Sequence, residues 1–149
     1  MKRSRNTKQF LRKHSLSLTA CGVVILWFAL YRVSDPSTHL GAFFGNAIAD
    51  WTGVVVTILM TKHLYEKGSS ESKQPKGILP SKLLEFLREH SLTIFLLITG
   101  VAWVAAFTAM DANSRWGQVV GNIVSEWTQI LGMVLITKRL IEVGSKANQ

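Results

Sequence analysis

Four long apolar runs interrupt an otherwise polar chain, at roughly residues 16–33, 41–61, 92–110 and 117–137. Each reaches about 18–21 residues, the length that crosses ~30 Å of hydrocarbon at 1.5 Å per residue. Soluble helices that long carry a polar face, and these nearly lack one. The pattern predicts an all-α integral membrane protein of four spans. Polar turns join spans one to two and three to four, supplied by Asp35-Pro36 and by Asp111-Ala-Asn113. Both are short, so each pair of spans forms a tight antiparallel hairpin.

Shifting the sequence by 76 residues superimposes its halves. Phe10–Ser69 against Phe86–Ser145 gives 21 identities in 60 positions without an insertion. The matches cluster in three ordered blocks: FLRKHSL on FLREHSL, GNAIADWT on GNIVSEWT, and TKHLYEKGS on TKRLIEVGS. That pattern implies duplication of one hairpin. Two spans per unit means both copies insert the same way up, so the repeat is parallel, with its axis along the membrane normal. The expected organisation is a first hairpin at 1–69, a linker at 70–80 and a second hairpin at 81–149. The linker is polar and aperiodic, as mobile segments are. After it, Pro80-Ser81 can cap a short helix with Leu83, Leu84, Phe86 and Leu87 on one face, suited to the headgroup region. Residues Lys8–His14 look like its counterpart before span one.

Charge fixes orientation. The chain carries a net charge of +8, and its Lys and Arg fall six, one, six, one and three across the five successive non-spanning segments. This alternation is the positive-inside pattern at every loop. It places both termini in the cytoplasm and leaves only Arg32 and Arg115 on the far side. Basicity then reflects topology and contact with anionic lipid headgroups, and a nucleic-acid partner is not needed. The N-terminal basic stretch and apolar run mimic a signal peptide, but the run is too long and no small-residue cleavage site follows, so span one is expected to stay.

Two patterns recur in spans two and four. Gly41, Gly45 and Ala49 in one, and Gly117, Gly121 and Ser125 in the other, form a small-residue seam of the GxxxG kind. Such seams let helix backbones approach closely, within the chain or between chains. The second pattern is polar. Asn46 and Asp50, like Asn122 and Glu126, are one turn apart on one face; Thr57 and Gln129 extend the stripe. It lies about 110° around from the glycine seam. Asp50 and Glu126 sit twelve residues from Lys62 and Lys138, hence about 18 Å deep and near the bilayer middle.

A carboxylate at that depth costs on the order of 2.5–3.5 kcal/mol by insertion scales. No Lys or Arg is near enough in sequence to neutralise it. The two acids could share a proton, hold a cation, or hydrogen-bond to Asn, Thr or the indoles of Trp27, Trp51, Trp103 or Trp127. One reading is a proton- or cation-responsive site at the bundle centre. The other is that these groups are polar glue that sets helix register. His14 and His90, recurring at the entries to spans one and three, read as interfacial anchors. Cys21 reads as a small buried thiol. There is no phosphate loop, nucleophile elbow, metal-ligand spacing or nucleotide fingerprint, so no enzyme, cofactor or metal is expected.

The stretch Asp50-Trp51 followed by Thr61–Lys73, with its Lys67-Gly-Ser-Ser-Glu-Ser-Lys73 ending, resembles an uncharacterised family of small bacterial membrane proteins, a domain of unknown function. Those proteins also look like two hairpins with a Trp-led second helix. This chain departs in its shorter outer loop and in keeping only Gly144-Ser-Lys146 of the segment after span four. The resemblance implies a bacterial inner-membrane protein and brings no activity with it. Two functions follow as expectations: a small channel or carrier built on the acids, or an accessory scaffold that self-associates or binds another membrane protein through its GxxxG faces.

Overall fold

The computed structural model describes residues 9–69, 72–77 and 79–138, and every regular element among them is helical. The elements are α1 (Ser15–Val33), α2 (His39–His63), α3 (Lys82–Glu89), α4 (Ser91–Ala109) and α5 (Arg115–Ile136). Residues 9–13 are also helical, ahead of α1. α1, α2, α4 and α5 are long and apolar enough to cross a membrane. Their bounds lie within about two residues of the apolar runs in the sequence.

α1 packs on α2 and α4 on α5, while α2 and α5 pack on each other and join the two hairpins. The core gathers Tyr31 from α1, Ile48 and Ala49 from α2, Leu92 and Leu96 from α4, and Val119, Ile123, Trp127 and Val134 from α5.

The α1–α2 and α4–α5 turns are built alike. Asp35 Oδ1 accepts from the Ser37 N–H (2.9 Å), and Asp111 Oδ1 from the Asn113 N–H (2.9 Å). Thr38 then caps α2 by accepting from Gly41 N–H (3.1 Å), and Ser114 caps α5 by accepting from Gly117 N–H (3.0 Å). The Ser37 hydrogen bonds favour the charged form of Asp35 and hold its carboxyl below the usual range. A Cβ on Gly41 would run into the Asp35 carbonyl, and one on Gly117 into that of Asp111. These two glycines therefore serve the turns.

The next glycine of each seam faces the other helix of its own hairpin. A Cβ at Gly45 would meet the Tyr31 ring at 3.2 Å, and one at Gly121 the Phe107 ring at 2.9 Å. Within the described residues, both GxxxG segments are thus occupied inside the chain. At the same end of the bundle, the Tyr31 hydroxyl donates to the Arg115 carbonyl (2.7 Å). The Arg115 guanidinium lies over the Tyr31 ring and donates to the Arg32 and Ser34 carbonyls. Carbonyls left open at the end of α1 are satisfied this way.

The linker end differs from expectation in one detail. Ser81 is the N-cap of α3, but its side chain makes no capping bond. α3 does present Leu83, Leu84, Phe86 and Leu87 as exposed apolar groups. Residues 72–77 are irregular, as the linker composition implies, whereas Lys8 and the tail from residue 139 lie outside the described residues.

Candidate functional site

The middle of the α2–α5 seam brings the polar stripe together. Asn122 Nδ2 donates to Asn46 Oδ1, joining two residues 76 positions apart. One turn along, the Asp50 and Glu126 carboxyl groups lie close enough to interact directly. Gln129 Nε2 donates to Glu126 Oε1 (3.3 Å). Five of the six polar candidates thus fall into two separate contacts, Asn46 with Asn122 and Glu126 with Asp50 and Gln129, while Thr57 lines the cavity beside Glu126.

The group is not symmetric. Where α5 carries Gln129, the matching position of α2 is Gly53, and the Glu126 tip rests against it. A Cβ at Gly53 would stand 3.0 Å from Glu126 Oε2 and 3.4 Å from the Ile130 side chain. The longer acid thus occupies room that the missing side chain leaves. Asn46, Asp50 and Gln129 are exposed, while Asn122 and Glu126 are half-buried.

From Glu126 a cavity of about 220 Å³ extends toward the linker end of the bundle. Glu126, Gln129, Thr57 and Thr61 supply its polar lining; Met60, Leu92, Leu96 and Met133 belong to its apolar wall. Among the described residues no Lys or Arg lines it. Among the described residues no cluster of three His, Cys, Asp or Glu side chains could hold a metal ion.

The rings of Trp27, Trp103 and Trp127 pack on other groups, and the buried Trp27 N–H has no hydrogen-bond partner among the described residues. Trp127 Nε1 donates to Thr99 Oγ1 (2.8 Å), and Trp103 packs edge-on against Trp127. Trp27 stacks on Phe44. Neither Trp27 nor Trp127 reaches the carboxyls, so direct neutralisation by these two N–H groups does not occur.

No protein-family model, curated protein or solved structure matches this chain. Its site must be read from its own geometry.

A second polar centre sits at the linker end, and the sequence reading passed over its key residue. Glu66 is fully buried just past α2. Its Oε1 accepts from Lys138 Nζ (2.6 Å) and contacts His90 Nδ1 (2.7 Å). Burial pushes the Glu66 carboxyl up, but Lys138, Thr93 and His90 favour the charged form more strongly, leaving it below the usual carboxylate range. Oε2 and the Thr93 hydroxyl are both buried without a well-formed hydrogen bond, although they lie close enough to influence each other.

Backbone bonds reinforce this clasp. Lys67 N–H donates to the Glu89 carbonyl (2.7 Å) and Leu92 N–H to the Tyr65 carbonyl (3.1 Å). Lys67 Nζ pairs with Glu89 (2.7 Å), and the Ser69 and Thr137 hydroxyls meet at 3.0 Å. His90 thereby anchors the loop after α2, beyond the interfacial role its position suggested. His14, its counterpart, lies 3.5 Å from Lys62. A signal for Glu66 was present: the block TKHLYE recurs as TKRLIE, and the acid is kept as Glu142, a position outside the described residues.

Proposed function

We propose that this chain is a multi-pass protein of the bacterial inner membrane, with both termini cytoplasmic. It works there as a proton- or cation-responsive bundle of the channel or carrier kind. The observation that carries this reading is the meeting of Asp50 and Glu126 across the α2–α5 seam, beside a cavity that no basic side chain among the described residues lines. In hydrocarbon, two adjacent carboxyls cannot both stay charged without a counter-ion. They take up one or two protons or hold a cation, and each of these makes their state depend on the ion available. The cavity runs from Glu126 toward the linker end of the bundle, the cytoplasmic side in this orientation. Two parallel hairpin repeats, positive-inside loops and α3 lying against anionic headgroups complete the architecture we propose.

The test is flux. Purified protein in liposomes should show pH- or cation-dependent flux that is lost in the double variant Asp50→Asn, Glu126→Gln, with helicity kept. Equal flux in both proteins, or none in either, removes the reading.

The alternative is an accessory scaffold that self-associates or binds another membrane protein through its GxxxG faces. Those glycines already meet Tyr31, Phe107 and the two turns. That occupancy favours the acid-based reading, and a scaffold would need a different face.

A further inference from the structure

Three helices line the cavity beside Glu126: α2 with Thr57 and Thr61, α4 with Leu92 and Leu96, and α5 with Gln129 and Val134. All three have an end close to that lining. α2 stops at His63, α4 starts at Ser91 and α5 stops at Ile136. One loop, residues 64–69, is bonded to each of these ends. It continues directly from α2. At the start of α4, Tyr65 N–H donates to Ser91 Oγ (2.9 Å) and Leu92 N–H to the Tyr65 carbonyl (3.1 Å). The chain then turns, with Ser69 N–H donating to the Glu66 carbonyl (3.2 Å) and Gly68 at φ +85°, a conformation that suits glycine. That turn brings the Ser69 hydroxyl to Thr137, just past α5. The loop thus spans the ends of the same three helices whose sides enclose the cavity.

Glu66 is where the three ends meet. Its Oε1 takes Lys138 Nζ from beyond α5 and His90 Nδ1 from ahead of α4, so one carboxyl oxygen ties α2, α4 and α5 together. Apolar packing of the same volume would hold these ends as well. A buried ionic tie differs in having two states: it holds while every charge is present, and loss of one charge disfavours it strongly. Glu66 Oε2 and the Thr93 hydroxyl, both buried without a well-formed hydrogen bond, leave the tie short of full satisfaction. From Tyr65 onward the fastenings described above are polar bonds at the end of the bundle. Segments held in this way open locally while the helices stay folded.

We propose that the 64–69 loop is the gate at the linker end of the cavity and that Glu66 is its latch. The loop keeps the cavity shut while Glu66 holds Lys138 and His90, and its release admits water and ions toward Glu126. The inference deepens the transport reading and rests on it for what passes. The water access it requires is measurable without any flux.

The experiment uses the full chain with Cys21→Ser as background. Thr57→Cys places one thiol in the cavity lining, and Val119→Cys places one in the core near the start of α5 as control. In inverted membrane vesicles a charged methanethiosulfonate should modify both slowly. Adding Glu66→Gln should speed modification of Thr57→Cys roughly tenfold or more and leave Val119→Cys unchanged. An unchanged rate at Thr57→Cys, or a rise at both sites that signals general loosening, overturns the gate. A second test leaves the ionic latch intact. Ser69→Cys with Thr137→Cys, at hydroxyls 3.0 Å apart, should form a disulfide that fixes the loop shut. In liposomes oxidation should then lower flux and reduction restore it. Flux that ignores this disulfide overturns the gate and leaves the acid-based reading standing. Access at Thr57→Cys that responds to Glu66→Gln, with no flux from any of the proteins, keeps the gate and sinks the transport reading.

Discussion

Asn122 donates its side-chain amide to Asn46 at the centre of the α2–α5 seam, so two equivalent positions of the sequence pattern touch each other. In an apolar surrounding such a bond fixes the relative height of two helices, because a slip of one residue leaves both amides unpaired. Interhelical hydrogen bonds in membranes contribute about 0.6 kcal/mol on average and up to about 1.7 kcal/mol. The double-mutant cycle Asn46→Ala, Asn122→Ala should give a coupling energy in that range when unfolding is followed by steric trapping in bilayers. Additive single effects would mean that the amides do not set register.

The glycines have two separate duties, and substitution distinguishes them. Gly121→Ala puts a methyl against the Phe107 ring, a side chain that can be shortened. Overpacking of this kind costs about 1–3 kcal/mol, and Phe107→Leu should restore most of it. Gly117→Ala drives the methyl into the Asp111 carbonyl, which is backbone. Shortening Phe107 should not rescue that variant. Thermal melts in detergent of the two single and two double variants decide the matter; equal rescue of both would show that the glycines are only a helix seam.

The helices, their hairpin pairing and the Asp-led turns were legible in the sequence because each follows from a local rule: run length, short polar turns, and Asp35 and Asp111 as turn formers. The polar stripe was legible for a similar reason, since Asn46, Asp50, Asn122 and Glu126 recur at one-turn spacing. What could not be read was which surface each face meets. GxxxG predicts close approach but not the identity of the neighbour, and the Tyr31 and Phe107 rings were invisible as partners. Glu66 was missed because it follows the end of α2, where an acid next to basic residues looks solvated. Its burial depends on Lys138 and His90, far away along the chain.

The Glu66 clasp has a pH signature with a definite sign. Its carboxyl titrates below the ordinary value of 4.5 in the folded protein. A lowered folded value means stability that is present above 4.5 and lost as pH falls through the folded value. Acidification into that range should release the loop after α2, read as faster amide exchange at Glu66, Lys67 and Leu92, while the long helices stay protected. Glu66→Gln should show the same exchange at neutral pH and lose its acid dependence. It leaves the Lys138 ammonium without its partner, and breaking a buried pair from one side costs about 3–5 kcal/mol; with Lys138 partly solvated, the lower end is expected. An acid response unchanged in Glu66→Gln would move the origin elsewhere.

Orientation decides which side of the membrane the paired acids sample. The segment that joins the hairpins carries Lys67, Lys73, Lys76 and, at the start of α3, Lys82, whereas the turn end of the bundle has only Arg32, in the last turn of α1, and Arg115, at the start of α5. Of these, Arg115 is held by Tyr31 and by the carbonyls ending α1, so it acts as a structural brace at the turn end as well as a topogenic charge. With Cys21→Ser as background, Gln74→Cys should stay unlabelled by a membrane-impermeant maleimide in intact cells and label fully once the membrane is opened. Ser37→Cys, in the α1–α2 turn, should behave the opposite way. Reaction at Gln74→Cys in intact cells would invert the topology. The cavity below Glu126 would then run toward the far side of the membrane instead of the cytoplasm.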